Sequence, residues 1–542
     1  MRTGFRRFTA LLAAATMIVS VSACGSTGAA GGTAQNTAQT GSSENIKFPL
    51  AQAGKLSILT SAEATSTQNP AEKLIYQRIH DKTNVDIDWT CYVKDQFDDK
   101  RNLVLAKGNG MPDMILNADL TTLDLIKYGS QGVIVPVEDL IDQDMPNLKK
   151  ILDENPDYRK MITAPDGHIY SFPWIEQLGT GKEAIQAVGS MPFINKAWLD
   201  QLGLQMPTTT QELETVLKAF KEKIPNSIPM SFRINGGNED LAFILGSFGY
   251  GDNPDHIMVD QNNKVVYSLA DPGYKNGITW LHSLQQEGLI DPEAYTQDWA
   301  TYVAKGKEDR YGLYFGWDNL SVPGTSASYV PLPALKGPDG TVNVPRQSGT
   351  EYGGFDAGRA VITSACKDQV LAAKWIDLMY EPLQSVQNNW GTYGETGKDN
   401  IFELKSDGTL AHIPQDQLSV SPWEARCAQM VGGPLAVLNS YYGKYTTCPP
   451  DAIDRMKFVK SYESDMKYDT VYPNVFMSRE DSEQLAQYET GIKQYAEQKK
   501  ADWILNGGVD KEWDSYLKKL NDLGLQKYLE IKQRNLDDYL GK

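Results

Sequence analysis

The chain has 542 residues, a formal net charge of -17 at pH 7 and a pI near 4.9. This excess of acidic groups repels phosphate backbones and acidic membrane surfaces, so nucleic-acid binding is not expected. Beyond the N-terminal leader there is no apolar run of membrane-spanning length, and no spanning helix is predicted.

The N-terminus has the pattern of a secretory leader. Arg2, Arg6 and Arg7 precede the apolar run Phe8–Val21, which is too short to cross a membrane but fits the apolar core of a signal peptide. We therefore expect residues 1–23 to be a signal peptide.

A lipid-attachment motif ends this leader. Val21-Ser22-Ala23-Cys24 has the small residues and the cysteine of the bacterial lipobox, in which the cysteine becomes the lipid-carrying first residue. Residues 24–45, rich in Gly, Ala, Ser, Thr and Gln, are then expected to form a flexible linker. The expected location is extracytoplasmic, on the bacterial cell membrane, with the lipid as the only attachment.

The first elements after the linker predict a parallel α/β lobe. Lys55–Thr60 has the pattern of a strand, Asn69 and Pro70 can begin a helix, and Val85–Trp89 alternates apolar and acidic residues as a second strand does. Met111–Leu116 is expected to form a third strand after another helical stretch. Such an order is typical of a parallel sheet covered by helices.

Ligands of parallel sheets bind beyond the carboxyl ends of the strands. In this chain that rule predicts ligand contacts from Ser61–Ser66 and Asn117–Asp119.

Helices dominate the later part of the chain. Asp271 and Pro272 can begin a helix that Gly288 ends, and the last 65 residues carry apolar faces at helical spacing. Since the tail is amphipathic with a strongly charged outer side, we expect it to pack onto a lobe; a partner-binding coiled coil is the alternative.

The aromatic residues have an unusual setting. The chain has 11 Trp and 27 Tyr, and many lie beside Gly, Pro, Asp or Asn, as Trp174, Trp317 and Trp390 do. A ring next to polar turn residues suits sugar binding, because the ring stacks on C–H faces while polar groups bond hydroxyls. Core packing is the alternative for any single ring.

Catalytic and metal-binding motifs are absent from the sequence. There is no GxGxxG, P-loop, GxSxG or HExxH motif in a strand-to-helix context, and the five histidines are scattered. The cysteines Cys91, Cys366, Cys427 and Cys448 lack CxxC spacing. Cys427 and Cys448 are able to pair outside the cytoplasm, but three full pairings stay open.

An ordered set of motifs resembles a known family. The set comprises Gly110–Ile115, Gly132–Ile141, Asp166–Trp174, Phe193–Gly203 followed by Met206–Thr209, Glu287–Glu293 and the Tyr472–Asn474 stretch with its helical tail. In this order they resemble the extracellular solute-binding proteins (family 1) of carbohydrate ABC importers, from about Lys55 to Tyr539. The long tail is similar to the larger lipoprotein subgroup of alginate-oligosaccharide-binding and LplA-like lipoproteins.

The resemblance implies a two-lobed α/β fold of the periplasmic-binding-protein type (type II, large cluster) with a hinge and a helical C-terminal extension. We expect one lobe to contain residues 46–172 and about 350–420. The other lobe is expected to contain residues 173–349 and about 421–542, with the helical tail.

The resemblance raises the question of a calcium site. Members of this subgroup often carry an EF-hand-like loop after the helix that follows the Pro-Thr-Thr motif. Here that helix leads into Lys223–Pro229, which lacks alternating oxygen ligands. We therefore expect no cofactor and no metal.

The function implied is that of a lipid-anchored binding protein, not an enzyme, that captures oligosaccharides and delivers them to an ABC permease as a monomer. A neutral oligosaccharide is expected, because the net charge opposes the approach of a uronate. A secreted glycan hydrolase or lyase and a peptide-binding lipoprotein are the alternatives.

Nine residues are predicted to bind the ligand. The stacking platforms are expected among Trp174, Trp317, Trp390 and Tyr393. The hydroxyl-binding candidates are carboxylates, which accept hydrogen bonds from neighbouring sugar hydroxyls: Glu63, Asp119, Asp318, Glu351 and Asp356.

Overall fold

The structure is a computed structural model that describes residues 46–324, 328–347, 353–474 and 476–542. The predicted signal peptide, the lipidation site Cys24, the linker and the ligand candidate Glu351 therefore lie outside the described residues. Within these ranges no helix is both long and apolar enough to cross a membrane.

Most strands are short and are distributed over the whole described chain. In chain order they are β1 (Gly54–Ala62), β2 (Val85–Val93), β3 (Met114–Leu116), β4 (Phe172–Gln177), β5 (Met191–Asn195), β6 (Ile228–Met230), β7 (Ile257–Val259), β8 (Val265–Tyr267), β9 (Tyr311–Gly316), β10 (Tyr329–Pro331), β11 (Gly353–Ile362), β12 (Phe402–Leu404), β13 (Leu410–His412) and β14 (Leu435–Val437).

The α-helices lie between these strands and at the C-terminus. They are α1 (Leu74–Thr83), α2 (Lys94–Lys107), α3 (Thr122–Ser130), α4 (Glu138–Asp144), α5 (Pro146–Glu154), α6 (Pro156–Ile162), α7 (Lys196–Leu202), α8 (Thr210–Lys223), α9 (Pro272–Gln286), α10 (Trp299–Lys307), α11 (Gln369–Asp377), α12 (Pro382–Trp390), α13 (Pro422–Gln429), α14 (Pro450–Tyr462), α15 (Arg479–Asn506), α16 (Val509–Asp522) and α17 (Leu525–Leu540).

A six-stranded sheet forms the core of the first lobe, in the order β14-β4-β11-β3-β1-β2. β1 pairs in parallel with β2 and β3, as the sequence predicts. β11 runs antiparallel to both β3 and β4, so the sheet is mixed. The predicted start of the first helix is wrong in one detail: Pro70–Glu72 is a separate 3-10 turn, and the Asn69 side chain does not cap it.

An irregularity in β11 interrupts the regular pairing inside this sheet. The register with β4 shifts between Asp356 and Ala360, so the three residues Ala357–Arg359 leave the regular ladder. Gly358 is required here, because a Cβ atom at this position would lie 1.9 Å from the carbonyl oxygen of Leu120. The bulge therefore depends on a close backbone approach that only glycine permits.

The second lobe is built on a four-stranded sheet with the order β10-β5-β9-β6. Apolar side chains of α8 and α9 cover it, among them Leu217, Phe220 and Ile278, none of which is exposed. The predicted cap of α9 is confirmed, since the Asp271 carboxylate accepts a hydrogen bond from the Gly273 N–H at 2.7 Å.

The C-terminal tail forms α15, α16 and α17 and packs onto the second lobe. Leu485 and Ile492 are buried as predicted, and Trp503 joins them in the same core. A buried ion pair reinforces the contact: Lys500 Nζ of α15 lies 2.6 Å from Asp240 Oδ2. The tail is thus an integral part of the second lobe.

The limits of the lobes remain a prediction, and the sheets indicate where to place them. β4 and β14 both belong to the six-stranded sheet, whereas β5 and α14 pack in the core of the second lobe. We propose that the chain crosses between the lobes after β4, after β10 and after β14. This division moves residues 173–177 and 421–437 into the first lobe.

Candidate functional site

A cavity of about 550 Å³ lies between the two lobes, and we call it the cleft cavity. Its walls are formed by both lobes and by the segments that cross between them. Its lining consists of Trp174, Glu176, Gln186, Arg233, Asn238, Glu239, Trp299, Trp317, Asp318, Ser321, Trp390, Ile401, His412, Ile413, Gln415, Leu418, Pro422, Trp423, Arg426, Pro449, Pro450 and Asp451. A ligand in this cavity touches both lobes at once.

β4 places two lining residues on the same face of its strand. Trp174 and Glu176 are two positions apart, so both side chains project toward the cavity. Glu176 Oε1 accepts a hydrogen bond from Asn389 Nδ2 at 2.7 Å, and Asn389 in turn accepts from Arg426. Glu176 was not among the predicted site residues, although strand alternation from Trp174 was a signal that pointed to it.

The turn after β9 supplies the next pair. Trp317 follows Gly316, and the Asp318 carboxylate accepts hydrogen bonds from the N–H groups of Leu320 and Ser321 at 2.8 and 2.6 Å. This Asx turn fixes Asp318, which is buried. The two hydrogen bonds use one carboxylate oxygen and fix the orientation of the whole group. Asp318 also lines the cavity.

Trp390, at the end of α12, is held in an aromatic cluster. Its ring meets those of Phe402, His412 and Tyr442 edge-on, with centroids 5.2–6.4 Å apart. Burial lowers the pKa of His412 to about 3, so the imidazole is neutral. His412 Nε2 is buried and has no hydrogen-bond partner among the described residues, which leaves it available to a polar ligand.

Two further tryptophans of the lining were missed by the sequence analysis. Trp299 begins α10 directly after its capping residue Asp298, and Trp423 lies in the first turn of α13 after Pro422. Both therefore have the turn-like neighbours that identified the other rings. Trp423 is 47% exposed, which places it at the rim of the cavity.

Several charged side chains of the lining have partners within the protein. Arg233 Nη1 lies 3.0 Å from Glu239 Oε2. Burial raises the pKa of Glu239 to about 7, although Arg233 favours the ionised form. Arg426 donates to the carbonyl and side-chain oxygens of Asn389, and burial raises the pKa of Asp451.

The structure brings four of the nine predicted ligand residues together in the lining: Trp174, Trp317, Asp318 and Trp390. Four others lie outside it. Glu63 pairs with Lys94 at 3.1 Å, and the Tyr393 ring lies under the Arg78 guanidinium at 4.0 Å.

Asp119 and Asp356 also lie outside the lining, because both pair with Arg359 in the bulge of β11. Burial raises the pKa of Asp356 to about 6, against the effect of Arg359. The guanidinium of Arg359 lies 5.6 Å from the centre of the Trp174 ring. These two carboxylates therefore border the platform without reaching the cavity.

Another segment of the chain covers the strand ends that were expected to contact the ligand. Ser66 Oγ donates to the carbonyl of Ala428, and Asn117 Nδ2 donates to that of Val431 at 3.0 Å. The chain before β14 thus occupies the carboxyl ends of β1 and β3. For this reason the cavity lies beside β4 and not beyond Ser61–Ser66 and Asn117–Asp119.

The cysteines Cys91, Cys366, Cys427 and Cys448 are all free thiols. The possible Cys427–Cys448 pair is therefore not formed. Burial raises the pKa of Cys427 and of Cys448 to about 11, so both are protonated at neutral pH.

The loop after α8 does not fit calcium. Calcium takes six to eight oxygen ligands, but only two side chains of Lys223–Pro229 carry an oxygen atom, those of Asn226 and Ser227. The Ser227 hydroxyl already donates to the Phe220 carbonyl at 2.9 Å. Among the residues that the structure describes, no cluster of three His, Cys, Asp or Glu side chains suited to a metal was found.

Comparison with known proteins identifies the relatives of this chain. FusA of Streptococcus pneumoniae, described as a fructooligosaccharide ABC transporter substrate-binding protein, is 48% identical over 504 residues, or 92% of each chain. Its structure in complex with kestose has a TM-score of 0.86 and covers 90% of this chain and 99% of that chain. A structure of a FusA EF-hand mutant with fructo-nystose is equally similar.

A more distant solved structure is an HMO-binding solute-binding protein from Bifidobacterium longum infantis. It is 26% identical, has a TM-score of 0.76 and covers 90% of this chain and 99% of that chain. Residues 61–384 match the family described as bacterial extracellular solute-binding protein. The predicted resemblance, the two-lobed fold and the expectation of a binding protein instead of an enzyme are confirmed, and the chain belongs to the bacterial extracellular solute-binding protein family.

Proposed function

We propose that this protein captures neutral oligosaccharides of the fructooligosaccharide class in the cleft cavity and delivers them to an ABC importer. The observation that carries the proposal is the lining itself, in which five tryptophan side chains from both lobes surround one cavity. Indole rings stack on the C–H faces of sugars. The similarity to FusA supports fructose-containing oligomers as the class.

The polar groups of the cavity favour a neutral ligand. Two arginines belong to the lining: Arg233 forms an ion pair with Glu239, and Arg426 donates hydrogen bonds to Asn389. Asp318 and Asp451 add negative charge. The lining contains four carboxyl groups and two guanidinium groups, so its charge balance disfavours a uronate, whereas sugar hydroxyl groups find carboxylate acceptors.

The proposed roles follow from these positions. Trp174 and Trp317 act as stacking platforms, and Trp390 supports the cavity wall through its edge contacts. Asp318 and Glu176 accept hydrogen bonds from sugar hydroxyls. Glu63, Asp119, Asp356 and Tyr393 receive no direct role in this scheme, since they lie outside the lining.

Delivery requires partners that act after capture. We propose lipid attachment at Cys24, a single chain as the functional unit, and docking to the membrane subunits of the permease after the lobes close. Completion of the cavity by one chain supports the monomer. Closure of two lobes on a ligand is the usual way in which such proteins couple capture to docking.

Calcium has no place in this proposal. A FusA EF-hand mutant has been described, but the loop Lys223–Pro229 lacks the ligands for a bound ion. We propose that this chain folds and binds sugar without calcium.

Calorimetric titration tests the function directly. The probes are kestose, nystose, a glucan and a xylan oligomer, a uronate oligomer and a short peptide. We expect saturable one-to-one binding of kestose and nystose. Binding of the uronate or the peptide without a neutral sugar contradicts the proposal.

The same samples test the enzymatic alternative. Incubation with the sugar that binds best, followed by product analysis, is expected to return the intact sugar. Product formation at enzymatic rates contradicts a transport function.

A further inference from the structure

Arg455 is a fully buried cation next to the cleft cavity. It lies in α14, with 0% of its surface exposed. Burying a guanidinium is costly unless its donors find acceptors. Asp318 and Asp451 supply negative charge nearby, which opposes the effect of burial on the Arg455 pKa.

The donors of Arg455 are used on backbone carbonyls. Nε donates to Ile185 O at 2.9 Å, Nη2 donates to Val188 O at 2.5 Å, and Nη1 donates to Trp317 O. A planar fork of N–H groups suits several acceptors in fixed directions, which a lysine does not offer.

The same guanidinium lies on the ring of Trp317, 3.3 Å from the ring centre. At this distance the interaction is a close cation–π contact. Trp317 is therefore held at two points, through its carbonyl and through its ring. One ring face is occupied by Arg455, so a ligand must use the other face or the edge.

Arg455 also connects the segments that join the lobes. Ile185 and Val188 belong to the crossing between β4 and β5, and Arg455 follows the crossing between β14 and α14. We propose that Arg455 is a positioning residue that fixes the Trp317 platform and ties its position to the arrangement of these two crossings. This role rests on the proposed function, in which Trp317 stacks on the sugar.

A double-mutant cycle separates positioning from a general effect on the fold. Kestose affinity is measured for Arg455→Lys, Trp317→Ala and the double variant. We expect at least a fivefold loss for Arg455→Lys and at least a tenfold loss for Trp317→Ala. Because Arg455 acts through the ring, the double variant should bind within twofold of Trp317→Ala.

The matched control is Lys457→Met, on the same helix. Lys457 is exposed and pairs with Asp454 at 2.7 Å, so its removal should leave kestose affinity unchanged. Wild-type affinity in Arg455→Lys, or losses that multiply in the double variant, overturns the positioning role. A wild-type protein that binds no oligosaccharide instead contradicts the proposed function itself.

A second measurement needs no Arg455 variant and applies if these variants do not fold. Crystal structures of the wild-type protein with and without kestose should show the Trp317 ring in one side-chain conformation, against the guanidinium in both. A ring that leaves Arg455 in the ligand-free protein overturns the proposal.

Discussion

Trp174 shows how a single side chain is prepared for a ligand. Its ring is half-buried on β4, next to the edge strand β14, and a Cβ atom at Gly354 would lie 2.3 Å from it. The missing side chain at Gly354 thus makes room for the indole. The Arg359 guanidinium lies on the same ring, so its position is set before a ligand arrives.

Removal of this ring should weaken sugar binding without unfolding the protein. We expect Trp174→Ala to cost about 1–3 kcal/mol of binding free energy, judged by the burial of an aromatic side chain. Calorimetry with kestose measures the change.

Trp89→Ala is the control for this prediction. Trp89 is also half-buried, but it lies on the edge strand β2 beside Tyr76, away from the cleft cavity. Its removal should leave the affinity unchanged. Equal affinities of Trp174→Ala and the wild type speak against the platform.

Glu239 should make sugar binding depend on pH. Its pKa is raised to about 7 by burial, so the side chain is protonated below this pH and ionised above it. If the carboxylate accepts a hydrogen bond from a sugar hydroxyl, binding favours the ionised form and releases a proton. Affinity should therefore rise about three- to tenfold from pH 6 to pH 8, as linkage to one proton requires.

The variant Glu239→Gln removes this titration. Its kestose affinity should be nearly constant between pH 6 and pH 8 in the same calorimetric series. If the kestose affinity of Glu239→Gln still rises between pH 6 and pH 8, the titrating group is not Glu239.

At the scale of elements, the C-terminal helices are connected to the ligand loop. Asp240, next to Glu239, accepts hydrogen bonds from the N–H groups of Asn235 and Leu241 and pairs with Lys500 of α15. The tail thus holds the segment that carries Arg233 and Glu239. This connection explains why a long charged helix is packed behind the site.

Lys500→Met should destabilise the protein strongly. The variant leaves the Asp240 carboxylate buried without its cation, and breaking a buried pair in this way costs about 3–5 kcal/mol. Urea unfolding measures the loss. Lys499→Met is the adjacent control: Lys499 pairs with Asp502 and Glu512 near the surface, which is worth about 0–1 kcal/mol. Similar losses in both variants count against the buried pair.

The loop after α8 leads to a prediction on metal removal. Because Lys223–Pro229 offers too few oxygen ligands for calcium, EDTA should change neither the melting temperature nor the kestose affinity. Differential scanning calorimetry before and after chelation, and again after calcium is added back, checks this. A lower melting temperature that calcium restores indicates a metal site.

Local sequence patterns predicted several strands and helices of the fold. Strand alternation and helix caps predicted β1, β2 and α9, since these signals depend on neighbouring residues. The joining of β14 to β4 in the six-stranded sheet involves residues more than 250 positions apart. No local signal reports such a pairing.

The candidate site was predictable only in part for the same reason. The turn-like setting of Trp317 and Trp390 pointed to rings that do line the cavity, and it applied equally to Trp299 and Trp423, which were missed. Tyr393 shares that setting, but Arg78 of α1 holds its ring elsewhere. Only tertiary structure distinguishes these cases.

At the scale of the whole molecule, we expect the two lobes to act together on one ligand. Residues of both lobes and of the crossings between them line the same cavity. At its edge Lys307 of α10 lies 3.6 Å from Glu424 of α13, an ion pair between the lobes. A sugar bound here joins the lobes, which is the physical basis for presenting a closed form to a permease.

A crystal structure of the wild-type protein with kestose tests this claim most directly. The account predicts one sugar chain inside the cleft cavity, with rings stacked on Trp174 and Trp317 and hydroxyl groups bonded to Asp318 or Glu176. Kestose bound to one lobe alone, or at a surface outside the cavity lining, would contradict it.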